Sequence, residues 1–301
     1  RSPIGTDAAI QAMTAEPLRR FYDTWYRPDN AAVMVVGDID ADEVEQLVRE
    51  RFDGVAPAAA AGERPDLGFE DFTEPLVRVA PDPDATETMA ELTWPRPGGP
   101  LVTTAAIRSR LLVQLAFDMI ATRLGDDISG GDTAFTSASV SSNNSVRMID
   151  APSVFVSAQF ADGTAAIDAL VVEFERARRF GFDDNEAARA VDYYRTAIEA
   201  EREASDTRGD KQFAGEFVDH FLTGSPIPSA DTGYTIFAEM LDSVSSGQIA
   251  EAFLQFVEGS APHLFVSVPD DSTDLPTQDE LLALMGAVAD REIEPREVSA
   301  A

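Results

Sequence analysis

One helix–strand unit is written twice in this sequence, and that repetition narrows the fold more than any other feature. Thr14 and Ser245 each stand where a helix N-cap is expected. Leu18 and Ile249, Tyr22 and Phe253, and Trp25 and Phe256 then share the apolar stripe of the helix that follows. At the same spacing Val33 matches Leu264, Met34 matches Phe265, Val35 matches Val266 and Asp40 matches Asp271. Cap, stripe, strand and following aspartate stay in register without a gap. Such a repeat reads as two copies of one α+β fold.

The two copies differ in their surroundings. Residues 1–55 read helix–strand–helix: Pro28 stops the first helix, Ala32–Val36 reads as a buried strand, and Asp40 caps a helix carrying Val44, Leu47, Val48 and Phe52. A single strand cannot make a sheet, so this segment reads as half of a domain whose unpaired strand predicts self-association or loose order. Residues 56–75, rich in Ala, Pro and Gly, read as a linker. Strands are then expected near Leu76–Val79 and Thr88–Trp94, a long helix over Val102–Leu124, and strands over Phe135–Val140 and Val154–Phe160. Helices follow over Ala165–Phe180, Asp183–Ala204, Gly209–Leu222, Thr235–Leu241 and Gln248–Val257, with a last strand at His263–Val268 and a last helix at Gln278–Val288. Residues 76–290 thus read as a second domain and 291–301 as a tail. The expected fold class is α+β, with a largely antiparallel sheet covered by helices.

Composition removes whole classes of chemistry. With no cysteine among 301 residues, disulfides, thiolate zinc sites, iron–sulfur clusters and thiol nucleophiles are excluded. The net charge is −31, and Lys211 is the only lysine. This field repels nucleic acid and anionic membrane alike, and no apolar run is long enough for a membrane span. A soluble acidic protein of the cytoplasm or of the cell envelope and periplasm fits. Arg1 is neither an initiator methionine nor the start of a signal peptide, so the chain reads as a piece of a longer product.

No catalytic constellation is complete. The two histidines are His220, with Glu216 one helical turn before it, and His263 beside Pro262. A Glu/His pair is half a zinc site at most, and the ordinary reading of both histidines is structural. H-x-x-E-H, H-E-x-x-H, G-x-S-x-G and the phosphate-binding glycine loops are all absent. No cofactor and no metal are expected in this chain.

The first 55 residues nonetheless carry a signature. Arg1-Ser2-Pro3-Ile4-Gly5-Thr6, Leu18-Arg19-Arg20-Phe21-Tyr22, Trp25-Tyr26-Arg27-Pro28-Asp29-Asn30 and Val35-Val36-Gly37-Asp38-Ile39-Asp40 together resemble the insulinase/pitrilysin family of zinc metallopeptidases, the inverzincins. They match the stretch following the zinc site in the family's first domain. Further on, Asp82–Asp84, Arg123-Leu124, Ala134-Phe135 and Arg179-Phe180-Gly181-Phe182 are similar to the second, non-catalytic domain of bacterial members.

The resemblance implies a duplicated insulinase-type domain, with 1–55 the end of the first copy and 76–290 the second. It implies that zinc, its two His and Glu ligands and the general-base Glu belong to the full-length parent before Arg1, so the chain alone is expected to be inactive. It implies a peptide or unfolded polypeptide as the parent's substrate, and the remaining halves of the protein or a homologous subunit as partners. In the second domain an edge strand docks substrate by strand addition, and the matching residues are Phe135, Thr136, Ser137, Ala138, Ser139 and Val140. The rival reading is a non-catalytic homologue that serves as a binding or partner subunit.

Overall fold

This computed structural model describes residues 4–55, 68, 72–99, 101–131, 133–143, 149–269 and 276–296. In chain order its elements are helices α1 (Asp7–Gln11), α2 (Ala15–Trp25) and α3 (Ala41–Phe52), then strands β1 (Leu76–Asp82), β2 (Thr88–Thr93) and β3 (Arg96–Pro97). Helix α4 (Thr104–Gly130) leads to β4 (Phe135–Asn143) and β5 (Ile149–Ala158). Helices α5 (Gly163–Phe180), α6 (Asp184–Glu203), α7 (Asp210–Thr223), α8 (Ala230–Asp242) and α9 (Ser246–Glu258) precede β6 (His263–Pro269) and α10 (Gln278–Ala287). Contacts divide them into two units: Arg1–Gly68 with Thr207–Leu222, and Phe69–Asp206 with Thr223–Ala301.

The larger unit is the expected α+β layer. Its sheet runs β1-β6-β2-β5-β3, with β4 on the free side of β5. All pairings are antiparallel except β1 with β6. One face is apolar and buried: Ala90 and Leu92 from β2, Val154, Val156 and Ala158 from β5, and Leu264, Val266 and Val268 from β6. Alternate residues of the same strands, among them Met89, Phe265 and Ser157, stay partly or fully open on the other face.

Helices α4, α5 and α9 bring an aromatic cluster onto the buried face. Phe117 is fully buried, with Trp94, Phe174, Phe253 and Phe256 all around it at centroid distances of 5.5–6.2 Å. Trp94 stacks on Phe174 at 4.7 Å. Each such ring buries a large apolar area, and the edge-on geometry adds a favourable quadrupole contribution. Asp183 opens α6 with a reciprocal capping box to Glu186. Gly131, at φ 79°, closes α4 beyond the predicted end at Leu124.

The smaller unit departs from the reading of the sequence. Ala32–Val36 forms no strand. The physical cause is the absence of a partner: the matching residues Leu264–Val268 are hydrogen-bonded between β1 and β2, whereas no described strand lies beside Val33–Val36. No residue of α1, α2, α3 or α7 is buried. The apolar face of α2 remains in solvent, with Leu18, Phe21, Tyr22 and Tyr26 all more than half exposed. Tyr22 and Tyr26 cover one another at 4.9 Å. Phe217, His220 and Phe221 of α7 line a wide hollow with Val33, Met34 and Val35. The expected linker lies mostly outside the described residues, as does Asp271, the last member of the repeat.

Candidate functional site

Phe135 to Val140 form the first two-thirds of β4. The strand pairs with β5 from Phe135↔Ala158 to Asn143↔Ala151, with a bulge between Phe135 and Ser137. β5 is its only strand partner among the described residues, so its outer row of backbone N–H and C=O groups is unpaired by any described strand. The bulge sorts the side chains. Phe135 is buried and Ala138 and Val140 are half-buried on the helix side, under α4, while Thr136, Ser137 and Ser139 are exposed. The Thr136 hydroxyl donates to Glu87 at 3.3 Å.

Two features set this edge apart. Its run of nine residues is long for a strand, and it carries no charge and no proline. Natural edges are usually blunted by lysine, proline or brevity, because an unprotected edge accepts another strand. The open sheet face beside it presents a cross-strand row of Arg78, Phe265, Glu91, Phe155 and Ser139. Chemically the edge can bind extended polypeptide through backbone hydrogen bonds.

The histidines do not assemble a metal centre. Glu216 is taken by Arg208 in an ion pair, and His220 faces the hollow described above. His263 meets the Phe72 ring edge-on at 4.4 Å. Burial holds its pKa below the usual histidine value, and its Nε2 finds no hydrogen-bond partner among the described residues. Among these residues no group of three His, Cys, Asp or Glu side chains is placed to hold a metal ion, so the donor set of a zinc site of the common kind is not met. No helix is long and apolar enough to cross a membrane.

A second polar locus had no signal in the sequence. Arg96, in β3, stands opposite Asp150 of β5. Its guanidinium carbon lies over the Phe256 ring, 3.3 Å from the centroid, and the group donates to the Phe256 carbonyl. Burial brings its pKa down to about 10, against the opposing pull of Asp150. One arginine among many in the sequence says nothing of this; only the meeting of β3, β5, α4 and α9 creates it.

Comparison with known proteins follows the same lines. Residues 12–194 match the family model described as the peptidase M16 inactive domain. The probable zinc protease PqqL of Haemophilus influenzae is 36% identical over 77 residues, 26% of this chain and 8% of the relative. The crystal structure of the periplasmic protease PqqL from Escherichia coli superposes with a TM-score of 0.84 at 19% identity, over 100% of this chain and 34% of that one. The structure of the first half of the same protease gives 0.85 at 18% identity, over 99% and 64%. The chain therefore spans about a third of the full-length protease whose fold it shares.

Proposed function

The chain belongs to the peptidase M16 inactive-domain family, and from that premise we propose that it is the substrate-handling, non-catalytic part of a zinc metalloendopeptidase of the insulinase/pitrilysin kind. On this reading residues 1–55 end the catalytic-type first domain, 76–290 are the second domain, and the zinc ligands and general base come from chain outside these 301 residues. Zinc, when bound there, polarises the scissile carbonyl and activates water. The residues described here bind and orient polypeptide.

The observation that carries the reading is β4. A long, uncharged, proline-free edge, unpaired by any described strand, is suited to capture an extended peptide or an unfolded polypeptide by adding it as a further strand. Recognition through backbone groups is tolerant of sequence, which suits an endopeptidase that must hold varied chains. The partners are then that polypeptide and the remaining halves of the same protein. The solved Escherichia coli relative is a periplasmic protease, and the cell envelope is the compartment this reading favours.

The test is fluorescence anisotropy of this chain with a labelled extended peptide, against the same peptide N-methylated at alternate residues. Strand addition requires that methylating the outward-bonding amides abolish binding while the other parity binds normally. Equal binding of both methylated forms overturns the β4 assignment.

A further inference from the structure

We infer that the polypeptide captured at β4 is amphipathic: a segment whose residues alternate apolar and polar, with the apolar parity turned toward the helix layer. This inference rests on the edge-strand reading and specifies its substrate class. Two apolar rows cross five strands on the helix side of the sheet. One runs Val79, Val266, Ala90, Val156 and Ala138, the other Val77, Leu264, Leu92, Val154 and Val140. Their members on β6, β2 and β5 are almost fully buried, whereas Ala138 and Val140, on β4, are only half-buried. At the opposite edge the second row is closed, because α10 packs on β1 and Val77 is 2% exposed. That edge also carries Arg78, Pro81 and Asp82, the charge and proline that blunt a strand. The row ending at Val140 thus lacks its last member at β4.

The helix layer reaches past β4. Helix α4 packs more closely on β4 than on β5. A helix with its side chains is about 10–12 Å across and strands stand about 4.8 Å apart, so α4 overhangs the place of the next strand. On that face the side chains of an added strand lie beside Ala138 and Val140. Apolar groups gain there by leaving water, and a charge loses its hydration. The other face asks for the reverse. Ser137, Ser139 and Ser141 are exposed, small and uncharged, and Phe155 stands one strand further in, opposite Ser139. A polar residue beside these serines keeps its water. Because side chains alternate with period two, a slip of one residue exchanges the two faces. Backbone bonding therefore tolerates any identity, while the faces select a binary pattern.

Fluorescence anisotropy with the 301-residue chain tests this, using three labelled peptides as long as β4, nine residues. One alternates valine and serine, one holds the same valines in a single block, and one alternates threonine and serine. All carry the same pair of added terminal arginines for solubility. The alternating valine peptide is expected to bind about tenfold more tightly than either of the others. Val140→Thr, nearly isosteric and on the helix side, should narrow that preference to about threefold. Ala138→Ser tests the same face should Val140→Thr fail to fold, and Ser139→Val, on the open face, should leave the order of the peptides unchanged. Equal binding of the alternating and blocked peptides, lost when their amides are methylated, overturns the amphipathic assignment and leaves the edge strand standing. Tighter binding of the blocked peptide, or a preference that neither helix-side variant alters, also overturns it. Binding of none of the three overturns the edge-strand reading, and this inference with it.

Discussion

Arg123 grips Glu186 with both arms of its guanidinium, Nε to Oε1 at 2.7 Å and Nη2 to Oε2 at 2.7 Å. The same arginine reaches Glu173 at 3.1 Å and the Gly181 carbonyl at 3.0 Å. Arg123 and Glu173 are both almost fully buried. One cation therefore ties α4, α5 and α6 together across the loop that joins the last two.

Removing that cation strands two carboxylates in a poorly solvated place. Arg123→Leu is expected to cost about 3–5 kcal/mol, the range for breaking a buried pair by deleting one partner. Urea unfolding at neutral pH measures it. A loss near zero would mean that Arg176 and Arg296, which also contact Glu173, carry the charge balance without it.

Gly181 should tolerate no side chain. Its backbone sits at φ 66°, ψ −141°, a region essentially restricted to glycine, and an added Cβ would meet the Ala250 Cβ at 3.0 Å. Gly181→Ala is expected to destabilise by about 1–3 kcal/mol. Gly125→Ala, in the interior of α4 with open space around it, should stabilise by about 0.5–1 kcal/mol. Thermal melts of the two variants should move in opposite directions.

Acid should weaken the larger unit in two separable steps. His263 is held neutral by burial, with its pKa below the usual value. Its contribution is present above about pH 6.5 and is lost as pH falls from there. Glu175 and Glu186 lie on the other side. Arg178 and Arg179 hold Glu175 below the ordinary carboxylate range. For Glu186 burial acts upward, but hydrogen bonds and charge from Arg123, with bonds from Asp183, outweigh it. Their contribution is present above about pH 4.5 and is lost as pH falls through the depressed values. Stability followed from pH 8 to pH 3 should show both losses, and His263→Phe should remove only the first.

Proline placed along β4 should split into two classes. At residues whose N–H bonds to β5 it breaks the ladder and lowers stability. At the alternate residues the N–H faces outward, so the melting temperature should hold while peptide binding is lost. A scan over Ser137, Ala138, Ser139 and Val140, read by melting and by anisotropy, checks this. Loss of binding in step with loss of stability at every position would count against an edge-strand site.

Much of the fold was legible because local chemistry wrote it. Asp40, Asp183 and Ser245 accept backbone hydrogen bonds at their helix starts, and the alternation of His263–Val268 survives as the burial pattern of β6. The strand at Ala32–Val36 failed for a non-local reason. Its residues have the right propensity, but a ladder needs a neighbour, and none of the described strands supplies one. The residues of β4 were likewise readable as a strand, whereas its place at the sheet edge depends on strand order, which no window of sequence contains. Arg96 was invisible for the same reason: its burial is made by four elements distant in the chain.

The position of β6 has a consequence for how this protein is made. β1 has β6 as its strand partner, Leu76 opposite His263, and β6 also forms one flank of β2. A ribosome must therefore deliver everything through Pro269 before β1 can join the sheet. Until then a hydrophobic strand and one side of β2 stand open on the nascent chain. Pairings so distant in sequence form slowly and leave time for wrong partners.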